Sequence, residues 1–313
     1  MKTLMVFDFD HTVVDDNSDT WVVRCLPGQT LPDSVKKSYR KGHWTEFMGR
    51  VMNYIGDQEV SPDRIQTVME TIPFTAGMTD LLTFISQNKS AIDCIVISDS
   101  NSMFIDWILH AAGLQAAVDQ VFTNPAKFNE LGYLEVHCYH SHECNSCPIN
   151  LCKKKVLEHY LSEQSDGGVE YERIFYVGDG GNDLCPTSCL RGNDVVMPRK
   201  GYTLEKLLAK MEGQEDNSSL RARVFAWSSG ADILQEVKVS SLSWGYHVPT
   251  TVKHTILSTP SLLNMHTRSY LRKTRSKGET RLHNLTPGVM HITAESPRRP
   301  PLGAAGCPER LLL

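Results

Sequence analysis

Three short apolar runs, at residues 4–7, 95–97 and 175–177, carry no polar alternation. Continuous apolarity over three or four positions, closed by a polar residue or glycine, marks strands buried on both faces of a parallel sheet. Each run is followed at once by residues able to do chemistry: Asp8 and Asp10, then Ser98 and Asp99, then Asp179 and Asp183 among glycines. Open α/β sheets bind ligands at that edge, the carboxyl ends of the strands. Helical spacing of apolar residues recurs at 103–112 and, between the first two strands, at 32–39, 45–54 and 62–70. The expected architecture is therefore α/β: a Rossmann-like parallel sheet with a helical cap inserted after the first strand. The core covers 1–19 and 76–239, and the cap about 20–75.

Asp8 and Asp10 stand two apart in FDFDHT. On extended chain such side chains point the same way, so both carboxylates enter one pocket. Two like charges at that separation raise each other's pKa unless a cation sits with them or one stays protonated. The pair suits nucleophilic phosphoryl transfer, although an acidic loop would read the same in isolation.

Ser98 offers a hydroxyl that can bond a phosphoryl oxygen, or it caps the following helix. In VGDGGNDL the glycines let the chain turn tightly around Asp179, and Asp183 can return to the same cluster, a second set of metal ligands. A phosphoryl group gaining charge also needs a fixed cation. Lys153, Lys154 and Lys155 are adjacent, so one can point inward while the others lie on a solvated helix end.

In this order, D-x-D-x-T, a strand-end Ser, a Lys and G-D-x-x-x-D resemble the haloacid dehalogenase-like phosphatase superfamily. The segments FDFDHTVVDDNSDTW, YRKGHWTEFMGRV, ISDSNS, CPINLCKKKVL, YVGDGGND and MPRKGYTL look like the phosphoethanolamine/phosphocholine phosphatase family. Asp19-Thr20-Trp21 and His43-Trp44-Thr45 look closer to its pyridoxal-phosphate phosphatase branch. The resemblance implies Asp8 as nucleophile, Asp10 as proton donor, Ser98 as phosphate-binding hydroxyl and Lys153 as the cationic residue. It implies Asp19 and Asp99 as substrate contacts; a solvated surface acid is the plainer reading of each. It further implies Mg²⁺ held by Asp8, Asp179 and the Asp10 main-chain carbonyl, with Asp183 in support. The expected activity is Mg²⁺-dependent phosphomonoester hydrolysis through an aspartyl phosphate, on pyridoxal 5′-phosphate. Phosphoethanolamine or phosphocholine is the alternative substrate, and a non-catalytic interaction protein the alternative function.

Composition supports a full core: of 313 residues, 41% are hydrophobic and 22% charged. No apolar run approaches the ~20 residues of a membrane helix, and no signal peptide fits before Asp8, so a cytoplasmic protein is expected. The formal charge of −4 conceals two unlike pieces. Residues 240–313 hold ten Lys and Arg against three acids, leaving 22 basic and 33 acidic residues in 1–239. That basic segment is rich in Ser, Thr, Pro and Arg and lacks periodicity, the composition of a disordered tail appended to the family's length. Its basic residues are scattered without interleaved aromatics, so neither nucleic acid nor membrane is expected as a partner; a small phosphomonoester is.

Cysteine usage leaves one open region. Cys25, Cys94, Cys185 and Cys189 sit in apolar contexts typical of core packing. His137, Cys138, His140, His142, Cys144, Cys147 and Cys152 crowd together, and the spacing H-x-C-x2-C-x4-C offers four zinc ligands. With one C-x2-C only, ordinary loop packing is the preferred expectation.

Overall fold

The computed structural model describes residues 2–40, 42–212 and 220–242. The expected tail therefore lies outside the described residues, apart from its first three positions. The chain opens with strand β1 (Lys2–Phe7) and passes into the inserted helices α1 (Ser18–Trp21), α2 (Asp33–Lys36), α3 (Trp44–Asp57) and α4 (Pro62–Met69). Helix α5 (Met78–Gln87), β2 (Ile92–Asn101), α6 (Ser102–Ala111) and β3 (Gln120–Asn124) follow. A hairpin of β4 (Ala126–Phe128) and β5 (Leu134–Val136) precedes α7 (Lys153–Asp166) and β6 (Tyr171–Gly178). The remainder is α8 (Leu184–Thr187), β7 (Val195–Pro198), α9 (Thr203–Glu212), β8 (Arg223–Val224) and α10 (Gly230–Leu242). Helix α10 thus runs through the expected boundary at residue 239.

The main sheet has six strands in the order β3-β2-β1-β6-β7-β8, all pairs parallel. From β1 the chain moves outward through β2 and β3, then returns to the other side of β1 and moves outward through β6, β7 and β8. The carboxyl ends of β1 and β6 therefore flank the point where strand order reverses, the ligand-binding crevice of such sheets.

Both faces of the sheet are covered, which is why its strands read as unbroken apolar runs. Met5, Phe7, Cys94, Val96, Phe175 and Val177 belong to one buried cluster, while Leu4, Val6, Ile95, Ile97, Ile174 and Tyr176 belong to another. Alternate residues thus leave opposite faces, as the pleat demands. Leu157 of α7 and Leu204 and Leu208 of α9 cover the second face. The first cluster takes in Leu81 of α5, Ile105 and Ile108 of α6 and Ile233 of α10.

That first cluster continues without interruption into the insert. Phe47, Val51, Met52 and Ile55 of α3 are buried in it with Ile65 and Met69 of α4. Their spacing of three and four puts them on one helix face, and each such side chain buried contributes about 1.5–3 kcal/mol. Ser61 caps α4 by accepting from the Arg64 N–H, and Pro62 occupies the first turn, where a missing N–H costs nothing.

The base of the insert is stitched shut. Val14 and Phe74 form an antiparallel bridge, flanked by Asp15 N–H to the Pro73 carbonyl at 2.7 Å and Thr75 N–H to the Val13 carbonyl at 3.0 Å. The β4–β5 hairpin adds a second layer: Tyr133 lies against Gly56 so closely that a Cβ there would overlap its ring, and its hydroxyl donates to Asp57 at 2.9 Å. No helix among the described residues is long and apolar enough to cross a membrane.

Candidate active site

Asp8 follows the last residue of β1 and is almost fully buried, as is Asp179 beyond β6. Hydrogen bonding draws the two strand ends together, since the Asp8 N–H donates to the Val177 carbonyl at 2.9 Å. Carboxylate oxygens of Asp8, Asp179 and Asp183 lie within 4.8 Å of one another.

One cation holds this cluster. Lys153, the first residue of α7, is completely buried, with its ammonium 2.9 Å from Asp8 Oδ1 and 2.8 Å from Asp183 Oδ1. Of the three adjacent lysines it alone turns inward; Lys154 pairs with Glu158 on the outer face, and Lys155 is exposed.

Asp183 is the anchor of the group. Lys153 and the Tyr176 hydroxyl donate to its Oδ1, both at 2.8 Å. The main-chain N–H groups of Asp179 and Gly180 donate to its Oδ2 at 3.2 and 2.9 Å. Four donors leave little capacity for a further ligand, so its role is to orient Lys153 and the turn bearing Asp179. The glycine at 178 is required by this packing, because a Cβ there would sit 2.5 Å from the Asp183 carboxylate.

The electrostatics are those of acids short of positive charge. Burial pushes the Asp8 carboxyl up to about 7, with the Asp183 charge adding to it and Lys153 opposing. Burial, then Asp8 and Asp183, raises Asp179 well above the usual carboxylate range. A donor set of carboxylate oxygens without imidazole or thiolate fits a hard divalent cation such as Mg²⁺, whose charge would relieve that repulsion.

Asp10 lies at the rim, in a different setting. Its two oxygens accept from the Ser18 N–H at 2.9 Å and the Ser18 hydroxyl at 3.0 Å. Burial and the neighbouring Asp19 charge nevertheless hold it well above the ordinary value, which keeps a proton available. Asp19, itself buried, accepts from the Trp44 indole N–H at 2.7 Å; burial raises it to about 6 although that bond lowers it.

Ser98 and Asp99 lie within β2, which extends to Asn101. It is Asn101, not Ser98, that caps α6, accepting from the Phe104 N–H at 3.1 Å. Ser98 is buried and accepts from the Ser100 N–H at 3.1 Å. Asp99 accepts from Asn182 at 2.8 Å, and burial raises its carboxyl. The geometry thus brings Asp8, Asp179, Asp183 and Lys153 into direct contact distance, with Asp10 and Asp19 coupled through charge at the cap's edge.

Two features went unread in the sequence. Arg199, just beyond β7, donates to the His11 carbonyl and to Asp15, each at 2.5 Å. His11 has φ +53°, a left-handed conformation uncommon for a non-glycine residue, and Arg199 on its carbonyl together with its own N–H on the Asp16 carbonyl at 3.1 Å holds it there. The motif MPRKGYTL contained this arginine, but nothing local marked its partners 184 and 188 residues away.

The second feature corrects an expectation. Cys185 does not pack in the core: its sulfur joins those of Cys144, Cys147 and Cys152, all within 4.8 Å of one another. His142 is not in that set; its Nε2 faces the Pro148 carbonyl at 2.7 Å. Cys25 and Cys94 are buried as expected, whereas Cys189 is half-buried.

The chain is similar to known phosphatases. The human pyridoxal phosphate phosphatase PHOSPHO2 is 52% identical over 238 residues, 76% of this chain and 98% of that protein. The human phosphoethanolamine/phosphocholine phosphatase is 43% identical over 239 residues, 75% of this chain and 89% of that protein. A "had family hydrolase" of Salmonella enterica serovar Typhi shares the fold, with TM-score 0.50 and 15% identity over 72% of this chain and 68% of that one. The family described as "Putative Phosphatase" matches residues 3–240. The chain belongs to that family, and with it to the phosphoric monoester hydrolases of haloacid dehalogenase-like fold.

Proposed function

We propose that the protein is a Mg²⁺-dependent phosphomonoesterase that works through a phosphorylated Asp8 and acts on pyridoxal 5′-phosphate. The observation that carries this reading is the meeting of Asp8, Asp179 and Asp183 within 4.8 Å around the buried Lys153 ammonium. Similarity to a protein named for pyridoxal phosphate supports the substrate.

Asp8 Oδ1 accepts from Lys153 and from the Phe9 N–H at 2.6 Å, which makes Oδ2 the freer oxygen for attack on phosphorus and leaves Oδ1 the side that faces the cations. Lys153 fixes that carboxylate in one rotamer and offers positive charge to the phosphoryl oxygens as they become more anionic. Protonated Asp10 gives its proton to the departing alcohol, then as a carboxylate takes one from the water that hydrolyses the acyl phosphate. The Ser98 hydroxyl is the proposed donor to a phosphoryl oxygen. Mg²⁺, held by Asp8, Asp179 and the Asp10 main-chain carbonyl, would neutralise phosphate charge and polarise the P–O bond.

Asp19 against Trp44 favours a leaving group of positive character, since a buried carboxylate beside an indole suits a cation. That observation also admits phosphoethanolamine and phosphocholine as substrates. Ranking the three phosphomonoesters by kcat/KM in Mg²⁺ decides the matter. A pyridoxal phosphate value no higher than the other two would overturn the substrate assignment, and no turnover of any would overturn the enzymatic reading.

A further inference from the structure

The four sulfurs of Cys144, Cys147, Cys152 and Cys185 have no part in the reaction above. They come from two separate segments: the loop ahead of α7 and the first turn of α8. Two of their separations are 3.6 Å for Cys147 to Cys152 and 3.7 Å for Cys144 to Cys185. A tetrahedral zinc with Zn–S bonds of ~2.3 Å has its sulfurs ~3.8 Å apart, so these are close to the edge lengths of a ZnS₄ tetrahedron. Thiols merely packed in a core show no reason to gather four at a point.

The loop around them is shaped to present sulfur. His142 Nδ1 accepts from the Cys144 N–H at 3.2 Å, and its other nitrogen meets the Pro148 carbonyl. His140 Nε2 accepts from the Cys152 N–H at 3.0 Å. Neither imidazole is among the four gathered side chains; each instead fixes the backbone of a cysteine and so orients its thiol. Residues 137–152 contain neither helix nor strand, and Glu143 to Pro148 contribute no residue to either hydrophobic cluster. Hydrogen bonds, not apolar packing, hold that stretch, and a bound ion would add to them.

We propose that these four cysteines bind one structural Zn²⁺ as thiolates, at a site separate from the carboxylate cluster. The division follows donor chemistry, since thiolate sulfur selects zinc whereas carboxylate oxygen selects Mg²⁺. Its place in the fold gives it a purpose. Cys152 immediately precedes Lys153, and Cys185 lies two residues beyond Asp183. The ion clamps the start of α7 to the start of α8, and so holds the two segments whose Lys153 and Asp183 meet at 2.8 Å.

The test is metal content, which does not depend on the proposed substrate or on turnover. The full chain, expressed in zinc-supplemented medium and desalted, is weighed by native mass spectrometry and assayed for zinc by plasma emission. One zinc per chain is expected, with loss of that zinc in Cys147→Ser and in Cys185→Ser, and retention in Cys138→Ser, which alters an exposed thiol of the same loop. Should either loss variant fail to fold, cobalt exchanged into the unaltered chain gives the answer. A strong sulfur-to-cobalt charge-transfer band with tetrahedral ligand-field intensity supports the site. Zinc-free protein with four reactive thiols, a mass lowered by disulfides among these cysteines, undiminished zinc in folded Cys185→Ser, or a six-coordinate cobalt spectrum would each overturn it.

Discussion

The Trp44 indole N–H donates to the Asp19 carboxylate at 2.7 Å, so the start of α3 fixes an acid on α1. Asp19 is raised to about 6 by burial, and this bond is what opposes a larger rise. Under the proposed function, anionic Asp19 receives the cationic part of the substrate. The kcat/KM for pyridoxal 5′-phosphate should therefore fall as pH drops, first through about 7 as the Asp8 nucleophile takes a proton and further through about 6 as Asp19 does. In Trp44→Phe the Asp19 carboxylate loses its donor, its pKa rises, and the second fall should begin at higher pH. Superimposable pH profiles for the two proteins would remove Asp19 from the substrate contact.

Asp8→Asn should lower kcat by roughly four orders of magnitude or more, because no covalent route remains. Asp10→Asn should lose about 10²–10⁴ in kcat, the usual contribution of a proton donor, while calorimetry still detects substrate binding. Near-normal turnover by Asp8→Asn would refute the nucleophile assignment.

Replacing Lys153 by Met keeps volume and removes the cation. Two buried carboxyls, Asp8 and Asp183, then lack their partner, at a cost of about 3–5 kcal/mol. The pH dependence has a definite sign. Burial already pushes Asp8 up to about 7 in the folded chain from its ordinary 3.8, so the folded state binds more protons between those pH values and stability declines as pH rises through them. Without Lys153 the folded value rises further, so the melting deficit of the variant should be greatest at neutral pH and shrink toward pH 5. A deficit independent of pH, followed by differential scanning calorimetry, would contradict the pairing.

Excess EDTA should stop turnover and Mg²⁺ should restore it. In Asp179→Ala the Mg²⁺ concentration for half-maximal rate should rise by about tenfold or more, the loss of one anionic oxygen. Unaffected turnover in chelator would remove the metal from the mechanism.

A chain ended after Leu242 keeps α10 whole and should match the full chain in kcat/KM and thermal midpoint. Ending it after Val239 also deletes Ser240, whose hydroxyl donates to Glu236 at 2.9 Å. Losing that bond and the last turn costs about 1 kcal/mol, or about 2–4 °C in a domain of this size. Equal midpoints for the two truncations would show that the last turn contributes nothing.

Asp8, Asp179 and Lys153 could be located from sequence because each stands next to a local signal, an apolar strand or a helix start. The helices at 44–57 and 62–69 were legible for the same reason, since their apolar spacing is set by one buried face. Strands β4, β5 and β8 were not, because two or three residues hold too little alternation to exceed background. Arg199, and the bond from Trp44 to Asp19, were not legible because the partners are distant in sequence. Cys185 was misread for a related reason: Leu184 and Pro186 beside it look like core, and the three thiols that explain it lie 33 to 41 positions earlier.

The bridge between Val14 and Phe74 has a mechanical consequence. It gathers both ends of the inserted helices at one short seam beside the loop that carries Asp8 and Asp10. A swing of those helices away from the sheet would have to pivot there, within reach of the strained His11 that Arg199 restrains. Admission of substrate and alignment of the reacting carboxylates would then share a single hinge, and stiffening that hinge would slow product departure before it disturbed phosphoryl transfer.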